Sequence, residues 1–412
     1  MSADSLRFIH ASDFRLGRPI QGLRYIPAVW RERLRDAPYE STANVFDTAV
    51  IENVDFVLLS GDLIDVRETS PFAVKFLLDQ FERLNTAGIP IYWISGELDK
   101  RGYWSKGIVF PENVFLFASN GIESRQSQSS DGFQYTIVGS SFDGERSINT
   151  SMFAGFGDSS QTTIAACYGD MEIGGQQSDI TYWACGGLDE GKRIESGSIK
   201  INYTGTPQPR KATASSSGCA LVTISNDNVV VTNDLSVAAV HWLTLSVDVE
   251  MEKSLSVIQE RCISLLKDAL DTRQDEHLLL TLQLKVAAGH YLVGPRQYTI
   301  EPIVDSLVRS MQQISPHVMV GELTVNSPME VIAPAEVYDN VARDFVDIVG
   351  ELWTNGWGQL DLTERLPDGM PIGMRLVRED LDGMRTINVA ATYGANLLDE
   401  KGDAENSREK AA

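Results

Sequence analysis

The 412-residue chain reads as an α/β protein: a two-sheet sandwich faced by helices, followed by a small α+β domain and a C-terminal helical segment. Three observations predict this. Near-continuous apolar runs alternate with helical patterns through the first hundred or so residues, which calls for a parallel sheet with helical crossovers. From about residue 110 the chain turns to short strands between turn-rich stretches, which calls for a second sheet. Residues 241–335 then repeat a β-α-β-α-β rhythm of their own.

The elements follow in order. "RFIHASD" (7–13) is a short strand ending in an acid. Residues 30–52 read as a helix, with Leu34, Val45, Phe46 and Val50 on a loosely periodic face. "VDFVLLSGDLID" (54–65) is an apolar run stopping at Gly61-Asp62, as a strand buried on both faces would. "PFAVKFLLDQFERLNTAG" (71–88) is a helix with Pro71 in its first turn and Gly88 past its end. "IPIYWIS" is the third strand, with Trp93 expected in the core. "NVFLFA", "FQYTIVGSSF", "TTIAACYGD", "ITYWACGG" (with Trp183), "IKINYTGTP" and "CALVTIS" are assigned to the second sheet. These give a first domain over 1–240.

In the α+β domain, 241–335, "WLTLSVDV", "HLLLTLQLKV" and "VMVGELTV" are strands. One of its helices carries Leu255, Ile258, Cys262, Leu265 and Leu266 at helical spacing. "IEPIVDSLVRSMQQI" is the other helix. Residues 336–398 form a helical segment whose first helix, 336–353, aligns Val341, Phe345, Ile348, Val349 and Leu352; that face either docks a partner or packs internally. Residues 399–412 are polar and expected to be disordered.

Composition narrows the function. Hydrophobic residues make up 43% and charged residues 22%, as in globular proteins. A net charge of −22 argues against a protein that coats nucleic acid, although a local basic groove is compatible with it. No secretory signal and no bilayer-length apolar run are visible. The four cysteines, Cys167, Cys185, Cys219 and Cys262, lack C-x-x-C spacing and read as reduced and buried, which points to the cytoplasm.

The chemistry concentrates at strand ends. Asp13 follows the first strand, Asp62 the second, Glu97 and Asp99 the third, and Asp189 follows "TYWACGGL". Parallel strands bring such loops to one rim. Carboxylates gathered there repel one another unless a positive charge lies between them. A divalent ion with oxygen ligands is the usual answer. Any one of these acids could instead be a turn or N-cap residue. Asp13 and Asp62 together, the latter preceded by Gly61, favour the site reading.

The blocks "FIHASDFRLG", "VDFVLLSGDLID", "AGIPIYWISGELD", "YTIVGSSF", "YWACGGLDE" and "NYTGTPQPR" resemble, in order and spacing, the calcineurin-like metallophosphoesterases. More narrowly, they resemble the SbcD-type DNA-repair exonuclease subunits and their YhaO-type relatives. The resemblance implies an α/β/β/α sandwich with a capping domain. It also implies two metal ions, typically manganese, about 3.5–4 Å apart, that clamp an in-line attack of water on phosphate.

The family's motifs are Asp-x-His, Gly-Asp-x-x-Asp, Gly-Asn-His-Asp, a lone His, and Gly-His-x-His. Here Asp13, Asp62 and Asp65 match, as do Gly96 and Asp99. The first histidine is Arg15, and Glu97-Leu98 stands for Asn-His. Tyr168 falls at the lone histidine, while Gly187 and Asp189 fall at the last two. None of the five histidines, His10, His241, His277, His290 and His317, falls on a ligand position, and His10 reads as a buried supporting group.

In the family, the histidine at Leu98's position protonates the leaving oxygen, a role worth ~10²–10⁴-fold. Leucine has no proton to give. Asp99 is then left with a role in loop structure. Arg15 brings a charge that cannot be neutralised, so it either pairs with Asp13 or Asp62 in place of a metal or turns to solvent.

The expected function is a degenerate SbcD-type subunit, inactive or weak, that accompanies an SMC-like coiled-coil ATPase in DNA repair. It would form a homodimer, reach DNA through the complex and avoid membranes. The alternative is an active phosphodiesterase with a rebuilt site in which Asp13, Asp62, Glu97 and Asp189 hold one weakly bound Mg or Mn ion; otherwise no cofactor is expected. A third reading makes Arg15 the anchor for a phosphate or nucleotide.

Overall fold

The computed structural model describes residues 5–20, 23, 26–157, 161–174, 179–211, 218–250, 254–273, 276–286, 306, 309–310 and 313–326. The segments 336–398 and 399–412, His290 and most of "IEPIVDSLVRSMQQI" lie outside the described residues.

The chain runs β1 (Ser5–Ala11), α1 (Ala28–Ile51), β2 (Phe56–Ser60), α2 (Pro71–Thr86), β3 (Ile91–Ile94), β4 (Val114–Leu116), β5 (Glu123–Gln128), β6 (Gln134–Gly139), β7 (Ser147–Asn149), β8 (Thr162–Tyr168) and β9 (Asp170–Glu172). It continues with β10 (Tyr182–Gly186), β11 (Lys192–Ser196), β12 (Ile199–Tyr203), β13 (Cys219–Ser225), β14 (Val230–Leu235), β15 (His241–Glu250), α3 (Leu255–Leu270), β16 (Leu278–Val286) and β17 (Val318–Asn326).

By its internal contacts the chain divides into two units. The first comprises Met1–Leu243 with Arg273–Thr281 and His317–Glu322. It holds two six-stranded sheets, ordered β14-β13-β1-β2-β3-β4 and β11-β12-β10-β8-β6-β5.

The first sheet is parallel through β1, β2, β3 and β4. One face buries Ile9, Val57, Leu59 and Trp93 against α1 and α2 residues such as Phe46, Leu77 and Phe81. The opposite face, with Phe8, Phe56, Leu58 and Tyr92, meets Tyr135, Ile164, Tyr168 and Tyr182 of the second sheet. Burial on both faces explains why these strands read as unbroken apolar runs.

Two strands differ from the sequence expectation. "NVFLFA" and "CALVTIS" join the first sheet: β4 pairs in parallel with β3, and β13 runs antiparallel beside β1. A short apolar run specifies a strand but not its partner; only the pairing does. The second sheet is also parallel at its centre, through β6, β8, β10 and β12, with antiparallel strands at both edges. Trp183 is fully buried on its outer face, as Trp93 is in the core beneath α1 and α2.

The sheets approach backbone to backbone near the strand ends. A Cβ placed on Gly186 would collide with the carbonyl oxygen of Ser60. Neither backbone can yield cheaply, so Gly186→Ala is expected to cost at least about 3 kcal/mol, read as a fall in denaturant midpoint.

The second unit comprises Thr244–Thr272, Leu282–Pro316 and Leu323–Ala412. Val247 and Val249 alternate inward on β15, as Leu282, Leu284 and Val286 do on β16, and Ile258, Cys262 and Leu266 are buried on α3. Leu265 is exposed instead: it lies off the i, i+4, i+8 line that the other three define. Among the described residues no helix is long and apolar enough to cross a membrane.

Candidate functional site: an arginine-filled cleft

The loops after β1 and β2 are laced together by their backbones. Asp13 N–H donates to Gly61 O (2.9 Å), Arg15 N–H to Asp62 O (2.9 Å) and Leu16 N–H to Leu63 O (3.0 Å). To make these bonds Asp13, Arg15 and Asp62 take left-handed backbone angles, φ 55°, 48° and 56°. Such angles are uncommon outside glycine and concentrate where a site imposes them. The lacing brings Asp13 and Asp62, 49 positions apart, to one point.

Arg15 fills that point. Its guanidinium lies 3.0 Å from Asp13 Oδ1, 2.5 Å from Asp189 Oδ1 and 3.8 Å from Asp62 Oδ2. Of the two alternatives left open for Arg15, the structure takes the ion pair. Other donors also engage Asp13 and Asp62. Gly187 N–H donates to Asp13 Oδ2 (2.9 Å), Leu98 N–H to Asp62 Oδ1 (2.9 Å) and the Tyr168 hydroxyl to Asp62 Oδ2 (2.7 Å).

The charges follow. Burial raises the Asp13 carboxyl to about 6, with Arg15 pulling it down and Asp62 pushing it up. Burial likewise raises Asp62, against the Leu98 N–H, the Tyr168 hydroxyl and Arg15. Burial works against the Arg15 charge, but Asp13, Asp189 and Asp62 outweigh it and hold the guanidinium more firmly protonated than usual. Burial and Asp62 keep the Tyr168 hydroxyl protonated, so it serves as a donor. Tyr168→Phe, which strands the Asp62 oxygen, is expected to cost about 1–3 kcal/mol by chemical denaturation.

Glu97 is not brought to this cluster. It is half-exposed and paired at 3.2 Å with Arg146 Nη1. Arg146 also donates to Gly187 O (3.0 Å) and lies over the Tyr168 ring, 5.7 Å from its centre. Asp99 is fully buried and accepts from the N–H groups of Leu63 (2.8 Å), Gly96 (2.5 Å) and Asp62 (3.2 Å), so it organises the loop. Burial, then Asp62, lifts its carboxyl to about 8. Asp65 accepts from Arg18 Nε at 2.9 Å.

Two arginines were missed by sequence reasoning, Arg146 and Arg210. Arg210 is buried and donates to the carbonyls of Phe14, Arg15, Arg18 and Pro19, cupping the loop that carries Arg15. Burial, then Arg15, lowers it to about 10, still a cation at neutral pH. Its place in "TGTPQPR" was the available signal.

His10 sits between the sheets beneath the cleft. Its ring nitrogens meet the Tyr182 hydroxyl (3.0 Å) and Ser60 Oγ (2.8 Å), and Asn202 Nδ2 donates to Tyr182 (2.8 Å). Burial lowers it to about 3. The unfolded chain therefore binds a proton that the folded chain refuses between about pH 6.5 and 3, and this contribution to stability is lost as pH falls through that window. Wild type should lose about 4 kcal/mol more than His10→Gln between pH 6.5 and 3.5, measured by urea melts at each pH.

A pair of divalent ions does not fit these residues. The guanidinium takes the place between the acids, and the oxygens of Asp13 and Asp62 already face donors. Among the described residues, no group of three or more His, Cys, Asp or Glu is placed to hold a metal.

Residues 6–162 match the calcineurin-like phosphoesterase family. Over that region the chain is similar to the calcineurin-like phosphoesterases. An uncharacterized metallophosphoesterase, YhaO of Bacillus subtilis, is 42% identical over 114 residues, 28% of each chain. The DNA double-strand break repair protein Mre11 of Saccharolobus solfataricus is 32% identical over 111 residues, 26% of each chain. Mre11 of Sulfurisphaera tokodaii is 30% identical over 108 residues, 26% of this chain and 25% of the relative. The chain thus spans about a quarter of the length of the curated relatives it matches.

Proposed function

We propose that this chain does not hydrolyse phosphoesters and serves as an SbcD-type companion subunit of an SMC-like coiled-coil ATPase in DNA repair. The observation that carries the first half is Arg15 bound by Asp13, Asp189 and Asp62. A guanidinium cannot lose its proton, and it neutralises the charge that would otherwise draw a divalent ion. Leu98 offers a backbone N–H to Asp62 and no acid to a leaving group. The likeness to double-strand break repair proteins supports the second half. In this reading DNA is reached through the complex, and residues 336–398 supply the docking segment.

The test pairs metal content with a nuclease assay on the purified chain. The expected result is no stoichiometric manganese and no cleavage of single-stranded DNA above an Asp62→Ala control. Manganese- or magnesium-dependent cleavage that Asp62→Ala abolishes would establish the rebuilt-site alternative instead. Co-purification with a coiled-coil ATPase tests the companion role separately.

A further inference from the structure

Cys167 and Cys185 stand apart from the arginine cluster, on the outer face of the second sheet. They are paired positions on the adjacent parallel strands β8 and β10. Both are buried, and their sulfurs are 3.2 Å apart. Neighbouring strands are about 4.8 Å apart, within the roughly 4.4–6.8 Å Cα separation that a disulfide spans. Reaching a bond length of about 2.05 Å asks for side-chain rotation and a small approach of the two strands.

These strand ends lead directly into the cleft. Tyr168, next after Cys167, donates to Asp62. Gly187, two residues after Cys185, donates to Asp13. Gly169 N–H donates to Gly186 O at 3.0 Å and ties the two ends together.

We propose that Cys167 and Cys185 are a modification site: a dithiol that a hydroperoxide converts to an intramolecular disulfide, whose closure shifts the loops holding Asp13 and Asp62. One sulfur, as thiolate, attacks a peroxide oxygen, so that an S–O bond forms, the O–O bond breaks and the leaving oxygen takes a proton. The second sulfur then displaces the hydroxyl of that sulfenic acid, which departs as water. Two electrons and two protons leave the thiols, and hydrogen peroxide becomes two waters. Burial, together with Cys167, holds the Cys185 thiol well above the usual range, so the conversion is slow and follows local opening.

The full chain is treated with hydrogen peroxide and measured by intact mass, peptide mapping and amide hydrogen exchange. The expected product is about 2 Da lighter, links the peptides bearing Cys167 and Cys185, reverts with dithiothreitol, and is absent in Cys167→Ser and Cys185→Ser. Exchange over 168–170 and 186–188 should change in the linked form. Oxygen addition at Met171, whose sulfur lies 3.9 Å from Cys167, with both thiols intact would overturn the proposal. So would linkage through Cys219 or Cys262, or a linked product with unchanged exchange at both loops. This test reads no hydrolysis, so its failure is distinct from failure of the companion-subunit reading.

Discussion

Arg15→Met is expected to lower the unfolding free energy by about 3–5 kcal/mol at neutral pH, the scale on which removing one partner of a buried ion pair destabilises a fold. Asp13 would be left buried, and Asp62 and Asp189 would lose their common counter-charge. The pH dependence separates this cause from lost packing. In the wild type the folded Asp13 carboxyl titrates at about 6, above its unfolded value near 3.9. For such a raised acid, stability falls as pH climbs through the interval between the two values. Arg15 is what pulls the folded value down, so its removal extends the interval upward. The deficit of Arg15→Met should therefore be largest above about pH 6 and shrink towards pH 4, where Asp13 is protonated with or without its partner. Equal deficits at pH 4 and pH 8 in urea melts would sink the electrostatic account.

Arg210→Lys is the second large effect, expected at about 3 kcal/mol or more despite the conserved charge. The forked guanidinium serves the carbonyls of Phe14, Arg15, Arg18 and Pro19 at once. A single ammonium cannot reproduce that fork, and hydrogen bonds to a charged donor are worth about 1.5–3 kcal/mol each. Because those carbonyls belong to the loop after β1, amide exchange should accelerate over residues 13–19 before the rest of the sandwich. Uniform acceleration across all strands would instead show a general loss of packing.

How much of this was readable beforehand depended on how local each signal is. Asp13, Asp62 and Arg15 sit where buried apolar runs stop, and strand polarity alone brings those stops to one rim. Strand-end position therefore anticipated that these three residues lie together. It did not locate Glu97, which comes from the same rim but turns outward to Arg146, because a half-exposed acid follows its nearest cation. Arg146 and Arg210 were invisible for a related reason. Each acts on backbone carbonyls, Gly187 for one and the 14–19 loop for the other, and carbonyls carry no side-chain signature. The fold shows the same limit. The helix 71–88 announced both its ends through Pro71 and Gly88, and the structure places it at Pro71–Thr86. The sheet membership of β4 and β13 rests on long-range pairing that no local pattern encodes.

The guanidinium between the acids has a consequence for how this protein lives in a cell. A cleft of bare carboxylates would borrow its charge balance from dissolved ions, and so depend on supply. Here the balancing charge is covalently part of the chain and is made with it on the ribosome. Chelators such as EDTA should leave its melting temperature where it was, and the folded protein should be indifferent to manganese starvation.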